Sequence, residues 1–212
     1  MVLPKSVLIT GCNRGIGLGL VKEFLKSESL PNKIIATCRD KSKAEELMAL
    51  ESSNANRLKV LELEVAKYEN DYKDFVQEVD KELGPEGGLN LLINKAVSSA
   101  RNEAPMGTEK AVILQMSTAV ASINENAGGG NYAYRCSKTA LNMSMKNTSL
   151  ELGPKGILVL SMHPGWVLTD MGGSNAMITV DTCVSTMVET IKQLGEKDQG
   201  AFLRYNNTPI SW

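Results

Sequence analysis

One stretch constrains this chain more than any other: Val7-Leu8-Ile9-Thr10-Gly11-Cys12-Asn13-Arg14-Gly15-Ile16-Gly17. Residues 7–9 form an apolar run and read as a buried parallel strand. Gly11, Gly15 and Gly17 follow at a fixed spacing. Ile16, Leu20, Val21, Phe24 and Leu25 then recur on one helical face. Strand, glycine turn and helix N-terminus together suit a dinucleotide pyrophosphate, because free backbone N–H groups and the positive helix end face the phosphates. A β-carbon would obstruct that approach, so glycine is needed there. Gly11, Asn13, Arg14, Gly15, Ile16 and Gly17 are therefore candidate cofactor-binding residues. Taken alone, the glycines also fit an ordinary strand–helix turn.

At 212 residues, a single domain over 1–212 is the expectation. A chain of this length buries roughly 70% of its unfolded surface and needs no covalent staples. The net charge of −1 leaves no basic stripe for nucleic acid and no polybasic run for a membrane surface. No apolar run approaches the ~20 residues of a membrane span. Residues 1–5 lead straight into the first strand without a signal-peptide core, so a cytoplasmic protein is expected. Cys12, Cys38, Cys136 and Cys183 stand far apart and none forms C-x-x-C, which indicates reduced thiols rather than zinc or a redox pair.

Residues 33–38 read as a second buried strand ending at Arg39. An acidic residue at that strand end would bond an adenosine ribose hydroxyl and favour NAD. Arg39, with Arg14 in the glycine turn, instead suits a 2′-phosphate, which accepts bidentate guanidinium forks. Two solvated surface arginines are the alternative, and Asp40, one position further on, is a counter-signal. Residues 42–53 read as a polar helix and 58–64 as the third strand. Tyr68, Tyr72, Phe75, Val76, Val79 and Leu83 mark another helix. The fourth, fifth and sixth strands are read at 89–94, 111–117 and 157–162. Val184, Met187, Val188, Ile191 and Leu194 mark the last long helix, and 200–203 a short seventh strand.

Tyr134 and Lys138 stand at i and i+4, one turn apart on one helical face. A phenol protonates a carbonyl poorly at neutral pH, and a nearby ammonium favours the phenolate. Tyr132 is a weaker rival, because Cys136 rather than a lysine lies one turn on. Ser117 and Thr118, at the end of the fifth strand, supply hydroxyls. His163 is the only histidine; a structural place at a strand end is expected for it.

In combination these features resemble the short-chain dehydrogenase/reductase family. The wording T-G-C-N-R-G-I-G-L-G-L is similar to its sniffer-type carbonyl reductases. The resemblance covers nearly the whole chain. It implies an α/β fold, doubly wound around a mainly parallel seven-strand Rossmann-like sheet, with sites at the carboxyl ends of the strands. It implies NADP(H), whose users in the family carry basic residues at the positions of Arg14 and Arg39. Glu64-Val65 stand where the family has Asp-Val beside the adenine. Tyr134 matches the proton donor, and Lys138 the residue that also reaches the nicotinamide ribose. The catalytic serine is the second of a Ser-Ser pair, which places Thr118 in that role and leaves Ser117 as the alternative. Pro164, Gly165, Trp166, Val167 and Thr169 match the segment that holds the carboxamide, and the stretch from Met171 would cover the substrate.

The chain departs from the family after Asn94. The family reads Asn-Asn-Ala-Gly and then a long helix bearing a further catalytic-site asparagine. Here Asn94 is followed by Lys95-Ala96-Val97, and sixteen residues separate Asn94 from Ala111. An internal deletion that leaves this helix largely missing is the simplest account. It predicts an uncovered face on strands four and five, marginal stability, and a monomer or weak dimer, because that helix often packs against a partner subunit. Two functions remain open. One is NADPH-dependent reduction of a small aldehyde or ketone. The other is a nucleotide-binding or interaction protein of the same fold with weak or lost turnover.

Overall fold

The computed structural model describes residues 3–28, 30–64, 71–85, 87–93 and 106–212. Short apolar runs alternate with amphipathic segments, and that alternation builds a sheet with helices on both faces. The strands are β1 (Ser6–Ile9), β2 (Lys33–Cys38), β3 (Leu58–Glu62), β4 (Leu91–Ile93), β5 (Val112–Met116), β6 (Leu158–His163) and β7 (Phe202–Arg204). The α-helices are α1 (Gly15–Leu25), α2 (Glu45–Ser53), α3 (Asp71–Leu83), α4 (Tyr132–Leu152) and α5 (Val180–Ile191). The strand order is β3-β2-β1-β4-β5-β6-β7. Every pairing is parallel. The order reverses between β1 and β4, which opens a crevice at the carboxyl ends of those strands.

Alternate residues of each strand feed two cores. Ile9, Ile34, Leu91 and Leu160 pack with Leu20 and Phe24 of α1 and Met187 of α5. Leu8, Ile35, Leu92, Ile113 and Val159 pack on the other face with Phe75 and Val79 of α3 and Met145 of α4. Buried Asn90 pins the sheet at its amino edge. Its Oδ1 accepts from Ser6 N–H at 3.2 Å, and its Nδ2 donates to Glu109 O and Lys110 O at 3.1 Å each.

Two expectations need adjustment. The helix expected over 42–53 is interrupted, because the Asp40 carboxylate accepts from Ser42 N–H at 2.9 Å and Ser42 Oγ at 2.6 Å. That cap winds Lys41–Lys43 into a 3-10 turn, and Ala44 leaves helical geometry before α2 begins. Tyr68 lies outside the described residues, as does the segment after β4 where the missing helix was expected. The uncovered face expected on the fourth and fifth strands is not found at Leu92 or Ile113. Both are buried, at 0% and 2% exposure, within the core shared by α3 and α4.

Candidate active site

The glycine turn is held at the crevice by its neighbours. Cys12 N–H donates to Thr37 O at 2.7 Å and Thr10 N–H to Ile93 O at 3.1 Å. Gly11 and Gly15 take φ values of +70° and +57°, in the left-handed region. A β-carbon on Gly17 would stand against the carbonyl of Gly11. Arg14 caps α1 without a hydrogen bond from its side chain to the first turn. The cradle that a β-carbon would fill, together with the positive helix end, fits a pyrophosphate. Asn13 is exposed and Ile16 half-buried beside it. The Cys12 thiol turns inward to Ile9 O at 3.1 Å, and burial pushes its pKa up to about 12.

The segment after β6 faces this turn. A β-carbon on Gly15 would lie 3.6 Å from Thr169 Cγ2. Pro164 O accepts from Cys183 Sγ at 3.1 Å. Gly165 takes φ +88°. The Trp166 indole N–H donates to Gly172 O at 2.7 Å, and Thr169 Oγ1 accepts from Gly172 N–H at 3.1 Å. Buried Val167 bridges to Ile178. The segment thus closes on itself and leaves Trp166, Leu168, Met171 and Met177 exposed.

The two arginines differ. Arg14 Nη1 is ion-paired with Asp170 Oδ2, across the turn in the segment after β6. Arg39 is exposed at the end of β2. Asp40 is engaged in its own cap, and its bonds to Ser42 and Lys43 hold its carboxyl below the usual range. It is therefore committed locally rather than held free for a ribose. Glu64 is half-buried past β3. Val65 and Asn94 lie outside the described residues.

α4 brings the hydroxyl and amine chemistry to the same edge. Tyr134 is 44% exposed, whereas Tyr132 is 81% exposed. Half-buried Lys138 donates from Nζ to Met116 O at 3.2 Å. That contact sets its helical turn against Ser117 and Thr118, both buried just beyond β5. Ser117 extends the ladder by donating its N–H to Met162 O at 2.8 Å, while its Oγ has no partner among the described residues. Arg135 and Thr139 fasten α4 to the loop before it. Arg135 Nη1 donates to Val120 O and Thr139 Oγ1 to Ala121 O, each at 2.8 Å. Sequence reasoning missed both residues, and Asp170 as well. The only signal for Asp170 was its charge, opposite to that of Arg14 and next to Thr169.

His163 ends β6 in the structural place expected of it. Burial, and then the Arg204 guanidinium, push its pKa down to about 4, with Glu125 opposing. The unfolded chain therefore binds more protons between pH 6.5 and 4, and stability falls as pH falls through that window. At pH 5 the loss should be about 2 kcal/mol relative to pH 7. Denaturant unfolding at both pH values should show this loss in the wild type and a smaller one in His163→Gln. Equal losses in the two proteins would remove the histidine as the cause.

A family model described as short chain dehydrogenase matches residues 5–125 and 106–179. The chain belongs to the short-chain dehydrogenase family. Members of the family are oxidoreductases, and solved structures of reductases align with this chain end to end. The carbonyl reductase Sniffer of D. melanogaster is 36% identical, covers 99% of this chain and 100% of its own, and superposes with a TM-score of 0.91. An NADPH-bound carbonyl reductase from chicken fatty liver is 34% identical, covers 100% of both chains, and gives 0.88. Among curated relatives, the C-signal protein of Myxococcus xanthus is 38% identical over 100 residues, which span 47% of this chain and 60% of that protein. An uncharacterized oxidoreductase of Schizosaccharomyces pombe is 27% identical over 252 residues, covering 98% of both chains. That alignment is longer than the 212 residues present here, so the relative carries residues this short-chain dehydrogenase lacks. Among the described residues, no helix is long and apolar enough to cross a membrane, and no cluster of His, Cys, Asp and Glu suits a metal.

Proposed function

We propose that this short-chain dehydrogenase reduces an aldehyde or ketone with NADPH, as one domain over residues 1–212. The observation that carries the reading is the 3.2 Å bond from Lys138 Nζ to Met116 O. It sets the Tyr134/Lys138 turn of α4 beside the hydroxyls that follow β5, on the edge that also carries the glycine turn. NADPH, when bound, supplies the hydride. Tyr134 gives the carbonyl oxygen its proton. The Lys138 ammonium offsets the charge left on the phenolate oxygen. Thr118 donates a hydrogen bond that orients the carbonyl. Enclosure of Ser117 Oγ supports Thr118 over Ser117 in that role. Gly11, Asn13, Gly15, Ile16 and Gly17 hold the pyrophosphate. Pro164, Gly165, Trp166, Val167 and Thr169 border the nicotinamide. Glu64 borders the adenine, and Val65 and Asn94 join the cofactor set on the family resemblance alone. The NADPH-bound relative supports the cofactor, as does the exposed Arg39.

The test is loss of nicotinamide absorbance when the protein meets NADPH and a vicinal dicarbonyl. Oxidation of NADPH is expected, with NADH the weaker partner. Arg39→Ala should lose about 1.5–3 kcal/mol of NADPH binding, roughly ten- to hundred-fold, and leave NADH untouched. Equal affinity for the two cofactors in the wild type would reject the phosphate assignment. A second reading, nucleotide binding without turnover, draws on the residues that the fission-yeast relative carries and this chain lacks. Tight NADPH binding with no oxidation of any carbonyl would favour it.

A further inference from the structure

The glycine turn and the segment after β6 leave strands that are not neighbours. β4 and β5 lie between β1 and β6 in the sheet. At ~4.8 Å per strand spacing, the ends of β1 and β6 stand roughly 14 Å apart. The segment nevertheless reaches the turn at two adjacent residues. A β-carbon on Gly15 would lie 3.6 Å from Thr169 Cγ2, and the Asp170 carboxylate pairs with the Arg14 guanidinium. The segment thus spans the width of β4 and β5 and closes on the turn beside the point where the strand order reverses.

The tip that carries Asp170 is stiff. Trp166 Nε1 donates to Gly172 O at 2.7 Å, Gly172 N–H to Thr169 Oγ1 at 3.1 Å and Gly173 N–H to Thr169 O at 2.9 Å. A β-carbon on Gly172 would meet the Val167 carbonyl, so the backbone is drawn tight there. Buried Val167 anchors the base of the tip through its bridge to Ile178. Both partners of the ion pair are largely exposed, and such a pair is worth no more than about five-fold in an equilibrium. Its importance is its place. It joins two walls that are each fixed by their own bonds, and a carboxylate presented on a prefolded turn loses little freedom on pairing.

We propose that Asp170, acting through Arg14, clasps the crevice over the diphosphate half of a bound nicotinamide dinucleotide and slows its release. The proposal rests on the dinucleotide-binding reading above. Asp170 is a positioning residue, because it acts only through the guanidinium it holds. The diphosphate is common to NADPH and NADH, so the clasp retains both alike. Choice between the two falls to Arg39, which stands exposed at the end of β2.

Asp170→Asn breaks the pair and keeps the side chain's shape. Stopped-flow displacement, followed by nicotinamide fluorescence, should show NADPH and NADH each leaving two- to five-fold faster, the worth of an exposed pair. The charge change by itself would do the opposite, since it removes a negative group from beside an anionic cofactor. Arg14→Gln should also speed release of both, and leave the ratio of their affinities unchanged. The double variant should release no faster than Arg14→Gln, because one pair is lost in each case. In the ligand-free protein, the Gly172 and Gly173 amides should exchange with solvent faster in Asp170→Asn than in the wild type. Unchanged or slower release from Asp170→Asn overturns the proposal, as do unchanged amide exchange rates. An effect of Arg14→Gln on NADPH alone makes Arg14 a reader of the 2′-phosphate and overturns it too. A wild type that binds neither dinucleotide rejects the cofactor reading and the clasp together. A wild type that binds both, beside variants that release them as slowly, rejects the clasp alone.

Discussion

Tyr134→Phe should lower kcat by roughly 10²–10⁴-fold, the usual worth of a positioned acid, without weakening NADPH binding. The substitution removes one oxygen and keeps the ring. Tyr134 is 44% exposed, so water meets whatever polar demand the lost hydroxyl leaves. The glycine turn, Arg39 and Thr169 lie on other elements and are untouched. Steady-state kinetics paired with a cofactor fluorescence titration separates the two effects. Loss of binding along with turnover would mean that the helix had shifted rather than that an acid had gone. Full turnover in the variant would reassign the proton donor, with Tyr132 the next candidate on the same helix.

Gly17→Ala should damage both fold and binding. The added β-carbon would press on the Gly11 carbonyl, with the carbonyl carbon 2.9 Å away and Cys12 Cα at 3.1 Å. All three are backbone atoms, so no rotamer relieves the contact. Overpacking of this kind costs about 1–3 kcal/mol. The turn cannot yield freely, because Cys12 N–H is tied to β2 at Thr37 O. Any shift that does occur moves the N–H groups meant for the pyrophosphate. Losing one such bond to a charged group costs about 1.5–3 kcal/mol, roughly ten- to hundred-fold in Kd. Thermal melting and NADPH titration of the variant test this. Unchanged values in both would show that the turn is not the phosphate cradle.

Much of the fold was legible because local signals agreed with one another. Residues 33–38 were read as a strand and form β2 with the same bounds, since the apolar run has polar stops at both ends. Tyr134 and Lys138 stand at helical spacing in the sequence, and one helix, α4, carries both. What escaped depends on contacts distant in sequence. Arg14 was expected to lie toward a ribose, but an opposite charge 156 residues away engages it. The face of β4 and β5 was expected to be bare because one helix was counted as missing. The core that Leu92 and Ile113 share with α3 and α4 could not be read from that count. The cap at Asp40 was the exception. Asp40-Lys41-Ser42 stands before a helical run in the sequence, and the bonds from Ser42 to the Asp40 carboxylate split that helix.

Cys12 gives the glycine turn a chemical property of its own. The turn carries a cysteine at the point where the pyrophosphate of a bound cofactor would meet the protein. Thiolates, not thiols, attack electrophiles and oxidants. With its pKa near 12 and its sulfur turned to Ile9 O, Cys12 holds only about one part in 10⁵ as thiolate at neutral pH. Cys38 and Cys183 are buried as well, and Cys136 alone is exposed, on the outer side of α4. Alkylating damage from reactive aldehydes would therefore fall on the helix surface before it reached the turn. The inward rotamer of one side chain makes the dinucleotide cradle inert toward the compounds the protein is read to consume.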